Sequence, residues 1–558
     1  MSFDSGQYNY TKYNNLPFKV DLYLDNSADY SGNGQNHYPI NPSAVMSLEI
    51  SDNLNNWVTE GSIIILYLPT DAPSSSGANE SATNTVGAGA AQNGKTLATY
   101  QFRNDGFDIL RFAAVPSLDN LSESEESNTG GLSIKQLENT PKWALSYAFS
   151  VYDMEDITPE IPGLDGSLAI YMKAIKLYLR DIRYHLLRTA NLEYSTALSP
   201  DATVDPSLAN GLQGVLYTGE ALGEVFNKAL TGQVDGIGDS MFTVDTKGET
   251  WDKGAGKIFY TSAANWNAND DINYLFSHHS SDAKKYENGV GELCVLYTQR
   301  AGFENLENIC LSPLSYFFDQ AGTDSPGKLQ YEHFFTTRLT DTNVQVGEFL
   351  APYTQDGGNA DVDLKTTKYG QIISYSFVEM SGEANSTDLR TRPVYSVNIG
   401  ERTFRTEFTN NKVTDARTSI AQSYIKKVKH QGSEEGLFLP TLHRHKDKVN
   451  IFPAFSLNGD SNILRNRSGL LDLIYSGVFL NACITFKTLG LSMRHPGTFI
   501  GIDKEGGCPK DDYNHKLYGQ WFVVKVDHVF EAGAYLNTIY AVKLHRFDTP
   551  KITFPETI

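Results

Sequence analysis

The chain has 558 residues, 40% of them hydrophobic, more than one ordinary core accommodates, so three or four domains are expected. Its 31 Tyr and 29 Phe suit pleated, half-buried surfaces and tilt the fold toward sheet. The net charge of −20 argues against nucleic-acid binding, and the lack of any apolar run of about 18 residues argues against a membrane-spanning helix.

Residues 1–40 read as an irregular arm with one strand, Phe18 to Leu24. Met46, Leu48 and Ile50 alternate with polar residues. A turn-like stretch, Asp52 to Gly61, precedes Ile63 to Leu68, which is continuous enough for a strand buried on both faces. Residues 70–94 are a low-complexity tract of Ser, Gly, Ala, Asn and Thr, read as a loop. Strand patterning resumes at Leu97 to Phe102 and Phe107 to Val115, and a second polar loop spans 117–131. Trp143, Leu145, Tyr147, Phe149 and Val151 then share one face of a strand, with small or polar residues on the other.

After Pro159 to Gly166 the pattern changes. Leu168, Tyr171, Met172, Ile175, Leu179, Ile182 and Leu186 recur every three or four residues. Lys173, Lys176, Arg180, Asp181 and Arg183 fill the other face, which predicts an amphipathic helix. Short helices are predicted at Glu220 to Leu230, Asp270 to His278 and Pro313 to Ala321, the last two flanking a hairpin near Leu293 to Tyr297. Strands return at Gln371 to Phe377, Pro393 to Ile399 and Thr403 to Phe408, then a helix at Asn462 to Tyr475 and a strand at Ala482 to Phe486. The end is a hairpin: Phe522, Val524 and Val526 alternate with Val523, Lys525 and Asp527, and Glu531 to Ala534 makes the turn. Trp521, Val524 and Val526 are expected in its core.

The fold class is thus mainly β with an α+β insertion: a β-barrel domain over 1–165, a mixed α/β domain over 166–328, and a second β-barrel domain over 329–558. Residues 1–165 carry 21 acids and 7 bases, the rest 45 and 39, so the net negative charge is concentrated in the first third, where bases are few. That excess fits either plain solubility or a surface past which DNA slides without sticking.

Motifs for chemistry are weak. Gly89 to Thr96 matches the phosphate-loop pattern, with Lys95 and Thr96 in the key positions. It follows a Ser/Gly/Asn tract instead of a buried strand and precedes a strand instead of a helix, so it reads as a chance match. His278 and His279 are adjacent and point apart on a helix. His443 and His445 sit in a basic patch, Leu442 to Lys446, that suits an acidic partner better than a metal. Pairs such as Asp511–Asp512 and Glu155–Asp156 are ordinary in an acidic chain. Cys294, Cys310, Cys483 and Cys508 form no CxxC pair and are expected as free thiols. The polar, acidic Met1 to Gly6 lacks the pattern of a secretory signal. No catalytic residue, cofactor site or metal ligand is assigned, and no enzyme activity is expected.

Three stretches carry a resemblance: Gly490 to Asp503 with its Arg494-His-Pro-Gly497 turn, Leu517 to Phe530 including Gly519, Trp521 and His528, and Tyr535 to Ile539 including Asn537. Fainter echoes are Asn269 to His279, Gly291 to Arg300 and Leu311 to Phe318. Together these resemble the baseplate hub family of contractile phage tails, which is related to the hub part of type VI secretion spikes. The resemblance implies two tail-tube-like barrels per chain and a homotrimer in the virion tail baseplate, assembled in the host cytoplasm. It also implies partners: a tail tube or tube-initiator protein on one side and a central spike protein on the other, with DNA passing through the axial channel without specific binding. Two other readings stay open, a tail-fibre connector or adhesin with tandem β domains, and a glycan-cleaving or nucleotide-binding enzyme.

Overall fold

The computed structural model describes residues 9–13, 16–25, 37–54, 56–67, 102–103, 108–116, 145–161, 170–171, 173–189, 216–220, 244–246, 258–261, 294–299, 308–313, 316–317, 333–337, 371–379, 394–398, 403–408, 450–454, 482–491, 494–504, 517, 519–531 and 533–543. In chain order the strands are β1 (Asn9–Tyr13), β2 (Leu16–Asp25), β3 (His37–Pro39), β4 (Val45–Asn53), β5 (Asn56–Leu66), β6 (Ile109–Pro116), β7 (Leu145–Ile157), β8 (Glu160–Ile161), β9 (Ile170–Tyr171) and β10 (Ala174–Asp181). Helix α1 (Ile182–Thr189) follows. Then come β11 (Leu216–Glu220), β12 (Val244–Thr246), β13 (Ile258–Thr261), β14 (Cys294–Gln299), β15 (Asn308–Pro313), β16 (His333–Thr337), β17 (Gln371–Ile372) and β18 (Ser374–Glu379). The last are β19 (Val394–Asn398), β20 (Thr403–Phe408), β21 (Asn450–Ala454), β22 (Ala482–Leu489), β23 (Phe499–Lys504), β24 (Gly519–Glu531) and β25 (Ala534–Lys543).

The described chain is mainly β, and most of its strand pairs are antiparallel. Fifteen strands form one hydrogen-bonded sheet in which the two ends of the sequence meet, because β24 pairs with β4 from Lys525↔Asn53 to Glu531↔Ser47. On the N-terminal side the order is β1-β2-β6-β7-β10-β5-β4-β24. Alternation along these strands sends Leu22, Ile50, Ile63, Phe112, Phe149 and Leu177 to one buried core. The sheet curls on itself: Phe112 of β6 meets Phe530 of β24 edge-on, ring centres 5.5 Å apart.

The C-terminal strands also curl, in the order β22-β25-β24-β23-β16-β17. β17 and β18 are one strand bent at Ile373. Its first part pairs with β16 and its second with β22, and the Ile373 amide donates to the Lys487 carbonyl at 2.8 Å. Trp521, Phe335, Phe486, Ile502 and Val526 fill the interior.

Several expectations need correction. The amphipathic helix predicted through Leu168 to Leu186 is strand β10 up to Asp181, and only Ile182–Thr189 is helical. Ile175, Leu177 and Leu179 also alternate with Lys176, Tyr178 and Arg180, and pairing with β5 on one side and β7 on the other satisfies the backbone of β10. This sheet therefore runs past residue 165. Asp52 to Gly61 is no long turn: β5 starts at Asn56 and is hydrogen-bonded to β4. Val524 is half-exposed, because a bulge between Val523 and Lys525 shifts the alternation and leaves Trp521, Phe522, Val523 and Val526 buried. The helices expected at 220–230, 270–278 and 462–475 fall on residues outside those described, apart from Glu220, which ends β11. Pro313 closes strand β15, with Tyr316 and Phe317 helical beyond it. The mixed α/β character expected of 166–328 is thus carried, among the described residues, by strands, α1 and this short turn.

Gly61 is required by close approach. It sits between β4 and β10, opposite Ile50 and Leu179. A Cβ there would lie 2.5 Å from the Glu49 carbonyl oxygen, a backbone atom that moves only with its strand. Gly61→Val is expected to destabilise the protein by about 1–3 kcal/mol, seen as a lower urea midpoint by circular dichroism; an unchanged midpoint would contradict this packing.

Candidate functional site

A continuous run of eight antiparallel strands, β7-β10-β5-β4-β24-β25-β22-β18, is built from both halves of the sequence. One register row crosses all of them: Ser150, Arg180, Glu60, Ser51, Asp527, Thr538, Lys487 and Ser374. Every member is polar; Ser150, Asp527 and Thr538 are buried, Arg180, Glu60 and Ser51 half-buried, and Lys487 and Ser374 exposed. The neighbouring row, displaced by one residue, points inward through Leu179, Gly61, Ile50, His528, Asn537 and Thr488. Period-two alternation thus gives the run one polar side and one packed side.

Charges on the polar side are locally paired. Arg180 Nε donates to Glu60 Oε1 at 3.0 Å, and the guanidinium lies 4.2 Å from the Tyr152 ring centre. Lys525 Nζ sits 3.0 Å from the Asp527 carboxylate and 4.6 Å from the Tyr540 ring centre. Tyr178 donates to Glu155 Oε2 at 3.2 Å; on the packed side, at the margin of the core, Tyr67 donates to Asp156 Oδ1 at 2.9 Å. Glu155 and Asp156 thus each accept a phenol hydrogen bond, on opposite faces of β7.

Burial, followed by the Asp156 carboxylate, pushes the Tyr67 phenol up to about 12, and burial with Asp527 and Glu49 does the same to Tyr540. Both folded values lie above the ordinary phenol value near 10. The folded state thus favours the protonated form, a contribution present in full below about pH 10 and lost as pH rises toward 12. The urea midpoint is expected to fall over that interval, and less so in a Tyr67→Phe/Tyr540→Phe protein. An identical decline in both would assign the effect to other groups.

Behind the face, a buried polar cluster ties β24 and β25 to β4, β5 and β7. Asn537 Oδ1 accepts from the Leu491 amide at 2.7 Å and from Arg494 Nη1 at 3.2 Å. The Asn537 amide nitrogen therefore faces His528 Nδ1, at 3.0 Å. That nitrogen must accept, which places the imidazole proton on Nε2, 3.7 Å from Asp52 Oδ2. The Tyr535 hydroxyl is 2.7 Å from the same Nδ1. Asp52 also accepts from Thr59 and Tyr147, each at 3.3 Å. Arg494 additionally donates to the Leu489 carbonyl and stacks 4.9 Å from the Phe335 ring centre. The cluster is a positioning device: it holds the C-terminal hairpin in register against the N-terminal sheet.

Lys95, Thr96, His278, His279, His443, His445, Asp511, Asp512 and Cys508 lie outside the described residues. Cys310 and Cys483 are free thiols, and burial pushes the Cys483 thiol up. Among the described residues no cluster of His, Cys, Asp and Glu is arranged for a metal, and no helix is long and apolar enough to cross a membrane. Sequence reasoning missed the cluster around His528. The two-residue turn signals the His528↔Asn537 pairing, but nothing local points to Asp52.

No family model and no curated protein sequence matches the chain. Over most of its length its structure is similar to those of phage tail proteins and of type VI secretion components. A tail protein from Neisseria meningitidis MC58 is 8% identical, with 94% of this chain and 96% of that one covered and a TM-score of 0.41. The 43 kDa tail protein of prophage MuSo2 from Shewanella oneidensis is 8% identical, with 94% and 97% covered and a TM-score of 0.38. The E. coli c3393 protein is 9% identical, with 90% and 74% covered and a TM-score of 0.34. It is described as a type VI secretion component with structural similarity to the T4 bacteriophage tail proteins gp27 and gp5.

Proposed function

We propose that the chain is a non-enzymatic structural hub of a phage tail baseplate, and that three copies form a ring around an axial channel. The observation that carries this reading is the in-register polar row crossing all eight strands from β7 to β18. The resemblance of Gly490 to Asp503 and Leu517 to Ile539 to the hub family supports it independently. In this reading each copy contributes two similar barrels, one on each side of the β4–β24 seam. Three copies then present six similar units to a sixfold tail tube and three to a threefold spike.

Three eight-strand runs at a spacing of about 4.8 Å enclose a circumference of about 115 Å, a backbone diameter of about 37 Å before strand tilt widens it. That leaves room for a double helix. The face suits passage better than binding: its Arg180 and Lys525 are paired with Glu60 and Asp527, so few free cations remain to hold phosphate. The pairing replaces the strongly acidic lining expected from composition with a nearly balanced one, to which exposed Glu49, Asp153 and Glu531 add acid.

Light scattering of the purified protein tests the assembly: the expected mass is three times 61.8 kDa. A monomer or a hexamer would contradict the reading.

A further inference from the structure

Strand β24 serves two cores. Trp521, Val523 and Val526 lie in the C-terminal core and Phe530 in the N-terminal one. Its partners along one edge change accordingly: Gly519 to Phe522 pair with β23, and Lys525 to Glu531 pair with β4. The change falls at Val523 and Val524. The Val523 carbonyl accepts from the Gly497 amide at 2.8 Å and the Val523 amide donates to the Thr498 carbonyl at 2.9 Å. The Val524 carbonyl accepts from the Leu54 amide at 2.9 Å. On the other edge, the bulge interrupts the ladder to β25 at the same place. A strand whose two ladders both change at one point is locally weak there.

One small unit bridges that point. β14 and β15 pair from Cys294↔Pro313 to Gln299↔Asn308, and Phe317 follows β15. Thr298 of β14 donates to the Trp57 carbonyl at 2.5 Å, at the start of β5 and just beyond Leu54. Tyr297, its neighbour on β14, packs against Phe317 with ring centres 5.2 Å apart, and Phe317 meets Phe522 of β24 edge-on at 6.0 Å. The Phe317 ring also lies over Gly497, where a Cβ would come within 2.6 Å of it. Gly497 has φ 87°, and its amide is the one that holds Val523. Tyr297, Phe317 and Phe522 are all buried. We infer that the β14–β15 unit is a clamp across the crossing of β24. Thr298 grips the N-terminal sheet, Phe317 grips the C-terminal strands, and the unit between them keeps β4 and β24 from parting at Leu54 and Val524. A bridge restrains only while both of its ends are held, so the two grips act as one.

The test is amide hydrogen exchange of the full-length protein under native conditions, read by mass spectrometry on overlapping peptides. Thr298→Val removes the hydroxyl donor at one end and leaves the Asp181–Arg183 pair in place. Phe317→Ala removes the ring at the other end, and Phe317→Leu is the milder form that keeps the variant folded. The reporter is the Leu54 amide, which donates to Val524. The control is the far end of the same seam, where Leu48 pairs with Phe530. Each single variant is expected to raise exchange at Leu54 at least about tenfold relative to the Leu48 region. Thr298→Val combined with Phe317→Leu should exchange little faster at Leu54 than the faster single variant, because either loss already opens the clamp. Unchanged exchange at Leu54 would overturn the inference. So would an equal rise at Leu54 and Leu48, which marks general destabilisation, or single effects that multiply in the double variant, which mark two independent contacts.

Discussion

Replacing Trp521 with alanine is expected to destabilise the protein by about 3–5 kcal/mol, the range for truncating a large buried aromatic. Trp521 is 1% exposed and lies in the core of the C-terminal strands, with Phe377 edge-on at 6.2 Å. Its Nε1 donates to the Leu517 carbonyl at 2.9 Å. Alanine removes the ring contacts and this bond together. Trp521→Phe keeps most of the apolar contact and loses the bond, so its cost should be nearer 1 kcal/mol. Urea unfolding followed by circular dichroism separates the two; equal midpoints for the alanine variant and the parent would show that this strand is not core.

The second large effect is expected at Asp181, where β10 gives way to α1. Its carboxylate accepts from the Arg183 amide at 2.8 Å, capping the helix. It also meets the Arg183 side chain through Nε at 3.0 Å and Nη2 at 2.5 Å, and both side chains are buried. Asp181→Ala removes the cap and strands a buried guanidinium without its carboxylate, at a cost of about 3–5 kcal/mol. Asp181→Asn keeps an acceptor for the amide and should fall between. Arg183 also reaches Thr298 at 3.5 Å, and Thr298 donates to the Trp57 carbonyl at 2.5 Å, so the loss should loosen β14 from the N-terminal sheet as well. Protection of β14 amides from hydrogen exchange should drop in the alanine variant. Unchanged protection and midpoint would contradict this account of the corner.

What the sequence made legible follows from where local patterning decides the structure. Met46, Leu48 and Ile50 alternate, and the strand forms as expected. The terminal hairpin turns before Ala534, with Gly533 at φ 78°, and that turn fixes Glu531↔Ala534 and hence His528↔Asn537. Elsewhere distant partners decide. Ile175, Leu179 and Ile182 satisfy a helical spacing, while Ile175, Leu177 and Leu179 satisfy a strand spacing. β5 and β7, each far away in sequence, select the second. Asp52 to Gly61 looks like a turn because it is largely polar, yet β5 starts at Asn56, pairs with β4, and meets β10 from Glu60 onward. The polar row behind the functional proposal was not legible, because it takes one residue from each of eight strands spread from Ser51 to Thr538.

The central claim is that the polar face of the eight-strand run looks into the bore of a threefold ring. Single-particle imaging of the purified oligomer along its axis tests it most directly. The account predicts a threefold ring whose opening is lined by Arg180, Glu60, Ser51 and Lys487 of every copy. A particle in which these residues lie on the outer wall, or one without a central opening, would contradict it.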